Sequence, residues 1–138
     1  MTSINNPTIL IVDDETLILD MLGGMLADLG YRTITACSGE EALQKVAEFE
    51  RIDILLTDIM MPNMNGIELA KRFNRLIPES KIFFMSGHVF PSLNIHELPE
   101  KNHVVFEKPF SIDRLNAEFS KALTYKINRS VNISIDID

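Results

Sequence analysis

Three aspartates, one serine and one lysine follow short segments that are otherwise mostly apolar. Asp13 and Asp14 follow TILIV, Asp58 closes IDILLTD, Ser86 follows KIFFM, and Lys108 follows HVVFE. Two carboxylates brought close together repel by roughly 4 kcal/mol at about 4 Å in an effective dielectric near 20. A site that gathers three of them therefore needs a cation, and Mg²⁺ with oxygen ligands is the natural one.

This set of side chains is suited to accepting a phosphoryl group. The ammonium of Lys108 and the metal would neutralise charge on the transferring group, Ser86 would donate a hydrogen bond, and a carboxylate would attack phosphorus to form an acyl phosphate. Asp58 is the predicted nucleophile because it stands alone at the end of the central strand. Asp13 and Asp14 are predicted to act together on the metal.

Each of these residues has a simpler interpretation when taken singly. Asp14 could cap the first helix, Ser86 could belong to a turn, and Lys108 could be a surface cation. Asp53 is expected to be a solvated strand start. Cys37, the only cysteine, excludes an internal disulfide and a site built on several thiolates, and is expected to be a small buried hydrophobic residue. The functional hypothesis therefore depends on the joint pattern.

The elements that must position these residues alternate between strands and helices. Segments rich in Ile, Val, Phe and Thr predict five strands, at residues 8–14, 31–37, 52–58, 81–87 and 103–109. Parallel strands need crossover helices, so the pattern predicts an α/β fold with helices on both faces of a parallel sheet. Because ligands bind at the carboxyl ends of the strands in such sheets, the polar residues are expected to converge there.

Periodicity and end signals predict the helices. The first has Gly30 as its C-terminal cap, the second opens on a capping box formed by Ser38 and Glu41, the third ends before Pro78, and the last opens at Ser111. Residues 88–102 are predicted to form a short or irregular helix. The apolar positions predicted to face inward are, in the order of the helices, Ile18, Met21, Leu22, Met25, Leu26 and Leu29; Ala42, Leu43, Val46 and Ala47; Ile67, Ala70, Phe73 and Ile77; Leu115, Phe119, Ala122 and Leu123.

Length and composition limit the function further. A chain of 138 residues is the usual size of one domain. A net charge of −7 disfavours nucleic acid as a direct ligand. No membrane span and no secretion signal are predicted, so a cytoplasmic location is expected. In the tail, residues 128–138, apolar and polar residues alternate; it could be a linker stub, or a strand added to a sheet edge or to a second chain in a homodimer.

The chain resembles the receiver domains of two-component response regulators. The matching motifs are VDDE at 12–15, TDIMMPNMNG at 57–66, MSG at 85–87 and EKPF at 107–110, and the expected receiver domain spans residues 7–127. The resemblance implies a flavodoxin-like, doubly wound sheet with strand order 2-1-3-4-5. It also implies phosphorylation of Asp58 by the phosphohistidine of a sensor histidine kinase or a histidine phosphotransfer protein.

The resemblance further implies a role for each site residue. Mg²⁺ would be held by Asp14, by Asp13 largely through water, by Asp58 and by the backbone carbonyl of Met60. Lys108 would bind the phosphoryl group. Ser86 would follow the new charge inward.

The sequence departs from the family at one switching position. Family members commonly carry Tyr or Phe three residues before the lysine, whereas this chain has Val105. Strand alternation predicts that the neighbouring Phe106 points to the opposite face of the sheet. Output through backbone shifts in the loop after Ser86 and in the short helix predicted within 88–102 is therefore the expectation.

The leading hypothesis is a phosphoacceptor signalling module, not an enzyme, whose output is contact with a downstream protein. One alternative is a receiver taken from a hybrid histidine kinase or a larger regulator. An aspartyl-nucleophile phosphatase is disfavoured because such enzymes carry a second acid where this chain has Met60. A flavin-binding carrier is disfavoured because the acidic DDE at 13–15 would repel FMN.

Overall fold

The computed structural model describes residues 6–49, 51–87, 104–108 and 111–123. Within these ranges five parallel strands form one sheet in the order β2-β1-β3-β4-β5. Their bounds are β1 Thr8–Val12, β2 Arg32–Ala36, β3 Ile54–Asp58, β4 Lys81–Ser86 and β5 Val104–Glu107. The order confirms the predicted flavodoxin-like topology, in which β1 and β3 are central and the crossovers lie on both faces.

Four helices cover the sheet in the described part of the chain: α1 Thr16–Asp28, α2 Gly39–Glu48, α3 Gly66–Leu76 and α4 at residues 112–123. Side chains from alternate strand positions build two hydrophobic clusters, one under α1 and α4 and the other under α2 and α3. None of these helices is both long and apolar enough to span a bilayer. The predicted helix within 88–102 and the tail 128–138 lie outside the described residues.

The inward face of α1 differs from the prediction. Leu19, Leu22 and Leu26 are its buried residues. Four further apolar side chains, spaced four residues apart, form an exposed line that we call the α1 row: Leu17 at 81%, Met21 at 49%, Met25 at 44% and Leu29 at 50% exposure. The inward prediction was therefore wrong for Met21, Met25 and Leu29. Apolar residues occupy nearly every side of this helix, so their spacing does not determine which side is buried.

The predicted helix ends are confirmed, including Ser111, whose hydroxyl accepts from the N–H of Arg114 at the start of α4. Gly30 has a φ of +101° and follows α1, as a C-terminal cap requires. The Ser38 hydroxyl accepts from the backbone N–H of Glu41 at 3.0 Å, while the Glu41 carboxylate accepts from the N–H of Cys37 at 2.7 Å. The N-cap of α1 is Glu15, so Asp14 is not a capping residue.

The other inward positions agree well with the helical spacing. Ala42 on α2 is buried, as are three residues of α3 and two of α4, namely Ile67, Ala70, Phe73, Leu115 and Phe119. Ala47 is exposed and was wrongly placed inward. Cys37 is also exposed, contrary to the prediction, because β2 ends at Ala36 and the chain turns outward into α2.

Asp53 is buried, so the expectation of a solvated strand start was wrong. Its side chain accepts a hydrogen bond from the backbone N–H of Thr8 at 2.9 Å and pairs with Arg51 at 3.1 Å. Its own backbone donates to the carbonyl of Thr8 and accepts from the N–H of Lys81. Asp53 thus joins β1, β3 and β4 at the end of the sheet opposite the predicted site.

Replacing Asp53 with alanine is expected to lower the free energy of unfolding by about 2 to 4 kcal/mol, because the N–H of Thr8 would be left buried without its acceptor. Urea unfolding at neutral pH measures the change. Asp53→Asn, which keeps one acceptor oxygen, is expected to lose clearly less. An alanine variant within about 0.5 kcal/mol of the wild type would contradict this role.

Candidate functional site

Three carboxylates meet at the carboxyl ends of the two central strands. Asp13 directly follows β1 and is fully buried, Asp58 ends β3 at 7% exposure, and Asp14 is exposed. Carboxylate oxygens of all three lie within 4.8 Å of one another. Parallel pairing of β1 with β3 brings them together, because Val12, just before Asp13, pairs with Thr57, just before Asp58.

Lys108 supplies the positive charge of this cluster. Its ammonium lies 3.0 Å from an oxygen of Asp13, 3.6 Å from Asp58 and 4.0 Å from Glu15. The N–H of Lys108 donates to the carbonyl of Ser86 at 2.7 Å, which holds the lysine against the end of β4. The expected convergence of Asp13, Asp14, Asp58 and Lys108 is therefore observed.

Glu15 was not among the predicted site residues. Its carboxylate is the third acidic partner of Lys108 and, at 4.0 Å, the most distant of the three. Its N–H donates to the side chain of Asp13 at 2.9 Å. The sequence offered one signal, the run of three acids at 13–15. Whether the third acid turns toward the site depends on where α1 begins, which spacing alone does not determine.

Ser86 and Met60 lie on the segments that flank the cluster. Ser86 is the last residue of β4, is buried, and comes one position after Met85, the pairing partner of Asp58. Met60 lies two residues beyond Asp58 on the loop that leads to α3, and its side chain is 48% exposed. The Thr57 hydroxyl, also buried, donates to the backbone carbonyl of Asp58 at 3.0 Å.

Two groups of the cluster, Asp58 and Lys108, have shifted pKa values. Burial raises the pKa of Asp58 from 3.8 to about 6, with the charges of Asp13 and Asp14 acting in the same direction and Lys108 acting against them. Burial works to lower the pKa of Lys108, but its hydrogen bond to Asp13 and the neighbouring carboxylates outweigh burial, so that this pKa is raised. The lysine stays charged, and Asp58 in the metal-free protein ionises at a higher pH than an ordinary aspartate.

The donor set fits a hard divalent cation. Three carboxylates offer oxygen atoms within a space small enough for one ion, and one of the three, Asp14, faces solvent. Mg²⁺ prefers such oxygen ligands and keeps some positions for water or phosphate. A bound cation would also offset the repulsion that raises the pKa of Asp58.

Asp58→Asn is expected to raise the unfolding free energy of the metal-free protein at pH 7.5 by about 1 to 2 kcal/mol. A pKa raised on folding means that the native state binds more protons than the unfolded state between pH 3.8 and about 6. The free energy of unfolding therefore falls as pH rises through that window, and the loss remains at higher pH. The full shift corresponds to roughly 3 kcal/mol, which solvent screening reduces.

Urea unfolding in EDTA, followed as a function of pH, measures the effect of this substitution. The difference between the two proteins is expected to vanish below about pH 4, where both side chains at this position are neutral. Saturating Mg²⁺ is expected to shrink the difference at pH 7.5, because the metal favours the charged carboxylate. An asparagine variant that is less stable than the wild type in EDTA at pH 7.5 would contradict a destabilising charge on Asp58.

Comparison with known proteins gives a consistent result. Residues 9–120 match the family of response regulator receiver domains. The response regulator receiver protein CpdR of Brucella abortus (strain 2308) is 35% identical over 115 residues, which covers 83% of this chain and 95% of that protein. Sporulation initiation phosphotransferase F of Bacillus subtilis (strain 168) is 35% identical over 125 residues, covering 89% and 98%.

Solved structures of similar fold include the response regulator protein TrrA from Thermotoga maritima in complex with Mg²⁺-BeF. It superposes with a TM-score of 0.72 at 30% identity, covering 84% of this chain and 98% of that one. Receiver domains accept phosphoryl groups, bind Mg²⁺ at an acidic pocket and interact with histidine kinases or phosphotransfer proteins. On the family match, the sequence identity and the shared fold, this chain belongs to the receiver domains of two-component response regulators.

Proposed function

We propose that Asp58 is the phosphoacceptor of this receiver domain and that Asp13, Asp14 and Asp58 hold Mg²⁺, together with the backbone carbonyl of Met60. The observation that carries the proposal is the meeting of three carboxylate side chains within 4.8 Å at the sheet edge, with the Lys108 ammonium beside two of them. The receiver domain is taken as residues 7–127, followed by a tail at 128–138.

In the proposed reaction a carboxylate oxygen of Asp58 attacks the phosphorus of a phosphohistidine. A new P–O bond forms as the P–N bond breaks, and the electron pair of that bond stays on the imidazole nitrogen. Bound Mg²⁺ supplies neutralisation of the charge on the transferring group. Lys108 exchanges part of its contact with Asp13 for a phosphoryl oxygen, and Ser86 donates its hydroxyl hydrogen to another.

The proposed partners are a sensor histidine kinase or a histidine phosphotransfer protein as donor, and a downstream protein as target. Phosphorylation would add negative charge at the ends of β3, β4 and β5. The backbone after Ser86 would then change its conformation. Val105 packs partly buried on the α2 and α3 side of the sheet, whereas Phe106 is fully buried on the side of α1 and α4. Output without an aromatic residue at position 105 is therefore proposed to rely on backbone movement.

The phosphatase alternative has little support. Met60 occupies the place of the second acid, and its exposed thioether cannot move a proton.

The other alternative is a receiver that forms part of a hybrid kinase or a larger regulator. Phosphoryl transfer to Asp58 would be expected there too, so this alternative concerns the surroundings of the domain and leaves its reaction unchanged.

The test is binding of beryllofluoride, a stable mimic of the phosphoryl group, followed by amide NMR spectra. We expect signals at the ends of β3, β4 and β5 to shift when beryllofluoride and Mg²⁺ are added together, and not with beryllofluoride alone. Asp58→Ala is the control and is expected to show no beryllofluoride-dependent shift. Wild-type spectra that do not change under the complete mixture would refute the proposal.

A further inference from the structure

The loop between β3 and α3, residues 59–65, is hydrogen-bonded at its base, and its most deeply buried side chain beyond Ile59 is that of Met64. At the base, the N–H of Ile59 donates to the carbonyl of Met85 at 3.0 Å and the N–H of Gly66 donates to the carbonyl of Ile59 at 2.8 Å. Near the tip, Asn63 has a φ of +69° and the chain turns sharply. Between residues 60 and 65, Met64 alone is buried, at 6% exposure.

Met64 is buried against Gly39, the first residue of α2. A Cβ atom built on Gly39 would lie 2.6 Å from the sulfur of Met64 and 3.1 Å from both its Cβ and its Cγ. Carbon atoms in packed interiors normally approach to about 3.5 to 4.0 Å. The methionine side chain therefore occupies the space that any other residue type at position 39 would need.

Gly39 itself is held firmly in place. It follows Ser38, whose hydroxyl caps α2 by accepting from the N–H of Glu41, and the Glu41 carboxylate accepts from the N–H of Cys37. One residue earlier, the carbonyl of Ala36 accepts from the N–H of Asp13. An unbroken series of contacts thus runs from Asp13 through the start of α2 to Met64 and back along the loop to Asp58.

We infer that Gly39 and Met64 are positioning residues for the acidic site: their contact fixes loop 59–65, and with it the backbone at Met60, relative to Asp13. This inference rests on the proposed function, because it assigns to the contact the task of orienting the proposed Mg²⁺ ligands. Residues that orient metal ligands without touching the metal typically change affinity by about 10- to 100-fold when replaced.

The principal test is Gly39→Ala, with the Mg²⁺ dissociation constant measured by calorimetry and by amide NMR titration. We expect about tenfold weaker Mg²⁺ binding and shifted amide signals in residues 59–65 before any metal is added. Gly24→Ala is the matched control, because a Cβ built there meets nothing within 4 Å. It makes the same chemical change in α1 and is expected to leave the Mg²⁺ affinity unchanged.

Met64→Ala removes the contact without adding an atom and is also expected to weaken Mg²⁺ binding, which keeps the inference testable if Gly39→Ala does not fold. The double variant is expected to bind Mg²⁺ nearly as Met64→Ala does, because the added methyl group no longer meets the sulfur and Cγ and keeps only its 3.1 Å approach to the Cβ of residue 64. Wild-type affinity in both folded single variants, even with reduced stability, would show a purely structural contact and overturn the inference. Absence of Asp58-dependent Mg²⁺ binding in the wild type would overturn the proposed function as well, which distinguishes the two failures.

Discussion

Lys108→Ala is expected to slow phosphoryl uptake from acetyl phosphate by about 100- to 1000-fold at saturating Mg²⁺. The Lys108 ammonium lies between Asp13 and Asp58, at 3.0 and 3.6 Å, and is the group best placed to meet negative charge on the transferring phosphoryl. Its removal takes away a fixed positive charge in a partly buried site, where charges act strongly. It also removes the interaction that lowers the pKa of Asp58, so the nucleophile is less often ionised before metal binds.

Phosphorylated protein can be followed over time by intact-mass spectrometry. Lys121→Ala is the matched control, since Lys121 is 76% exposed on α4 and pairs only weakly with Glu118 at 3.6 Å. That variant is expected to take up phosphoryl at the wild-type rate. Uptake by Lys108→Ala within about threefold of the wild type would mean that the ammonium does not act on the transferring group.

Gly66→Ala is expected to lower the free energy of unfolding by about 3 kcal/mol or more. A Cβ atom on Gly66 would overlap the backbone carbonyl oxygen of Asp58 and would lie 3.0 Å from the carbonyl carbon of Asp58 and from the Cα of Ile59. These are backbone atoms, which cannot rotate away as a side chain can. Relief requires α3 to move off the end of β3, which also displaces the proposed nucleophile.

Urea unfolding of Gly66→Ala beside Gly24→Ala separates this clash from the general effect of alanine in a helix. Gly24 is solvent-exposed and lies in the middle of α1, away from both helix ends. Its replacement is therefore expected to raise the unfolding free energy by about 0.5 to 1 kcal/mol. The two substitutions should therefore have opposite signs. A Gly66→Ala protein as stable as the wild type would mean that α3 adjusts at no cost.

The sheet and the main site residues could be predicted because local rules apply to them. β-branched runs ending in Asp, Ser or Lys indicated both the strands and their carboxyl ends, and the parallel sheet brought those ends together. Alternation along β5 correctly placed Phe106 on the face opposite Val105. These inferences need only the period of a strand and the direction of a crossover.

The errors concern features that depend on distant parts of the chain. Asp53 is buried because the N–H of Thr8, 45 residues earlier, lies against it, and no local pattern reports such a partner. Glu15 reaches Lys108 only because α1 begins one residue later. The prediction that Met21 faces inward was wrong because α1 is apolar on most sides. The spacing of its apolar residues therefore does not indicate which side the sheet covers.

The α1 row has a consequence for the divergence of this protein. Leu17, Met21, Met25 and Leu29 belong to neither hydrophobic cluster, so polar replacements there remove less buried apolar area, and cost less folding free energy, than replacements in the interior. Duplicated genes encoding this domain can therefore acquire different side chains along this line while keeping the same interior. Substitutions along this line are therefore expected to accumulate at a lower cost in stability than substitutions inside the two clusters.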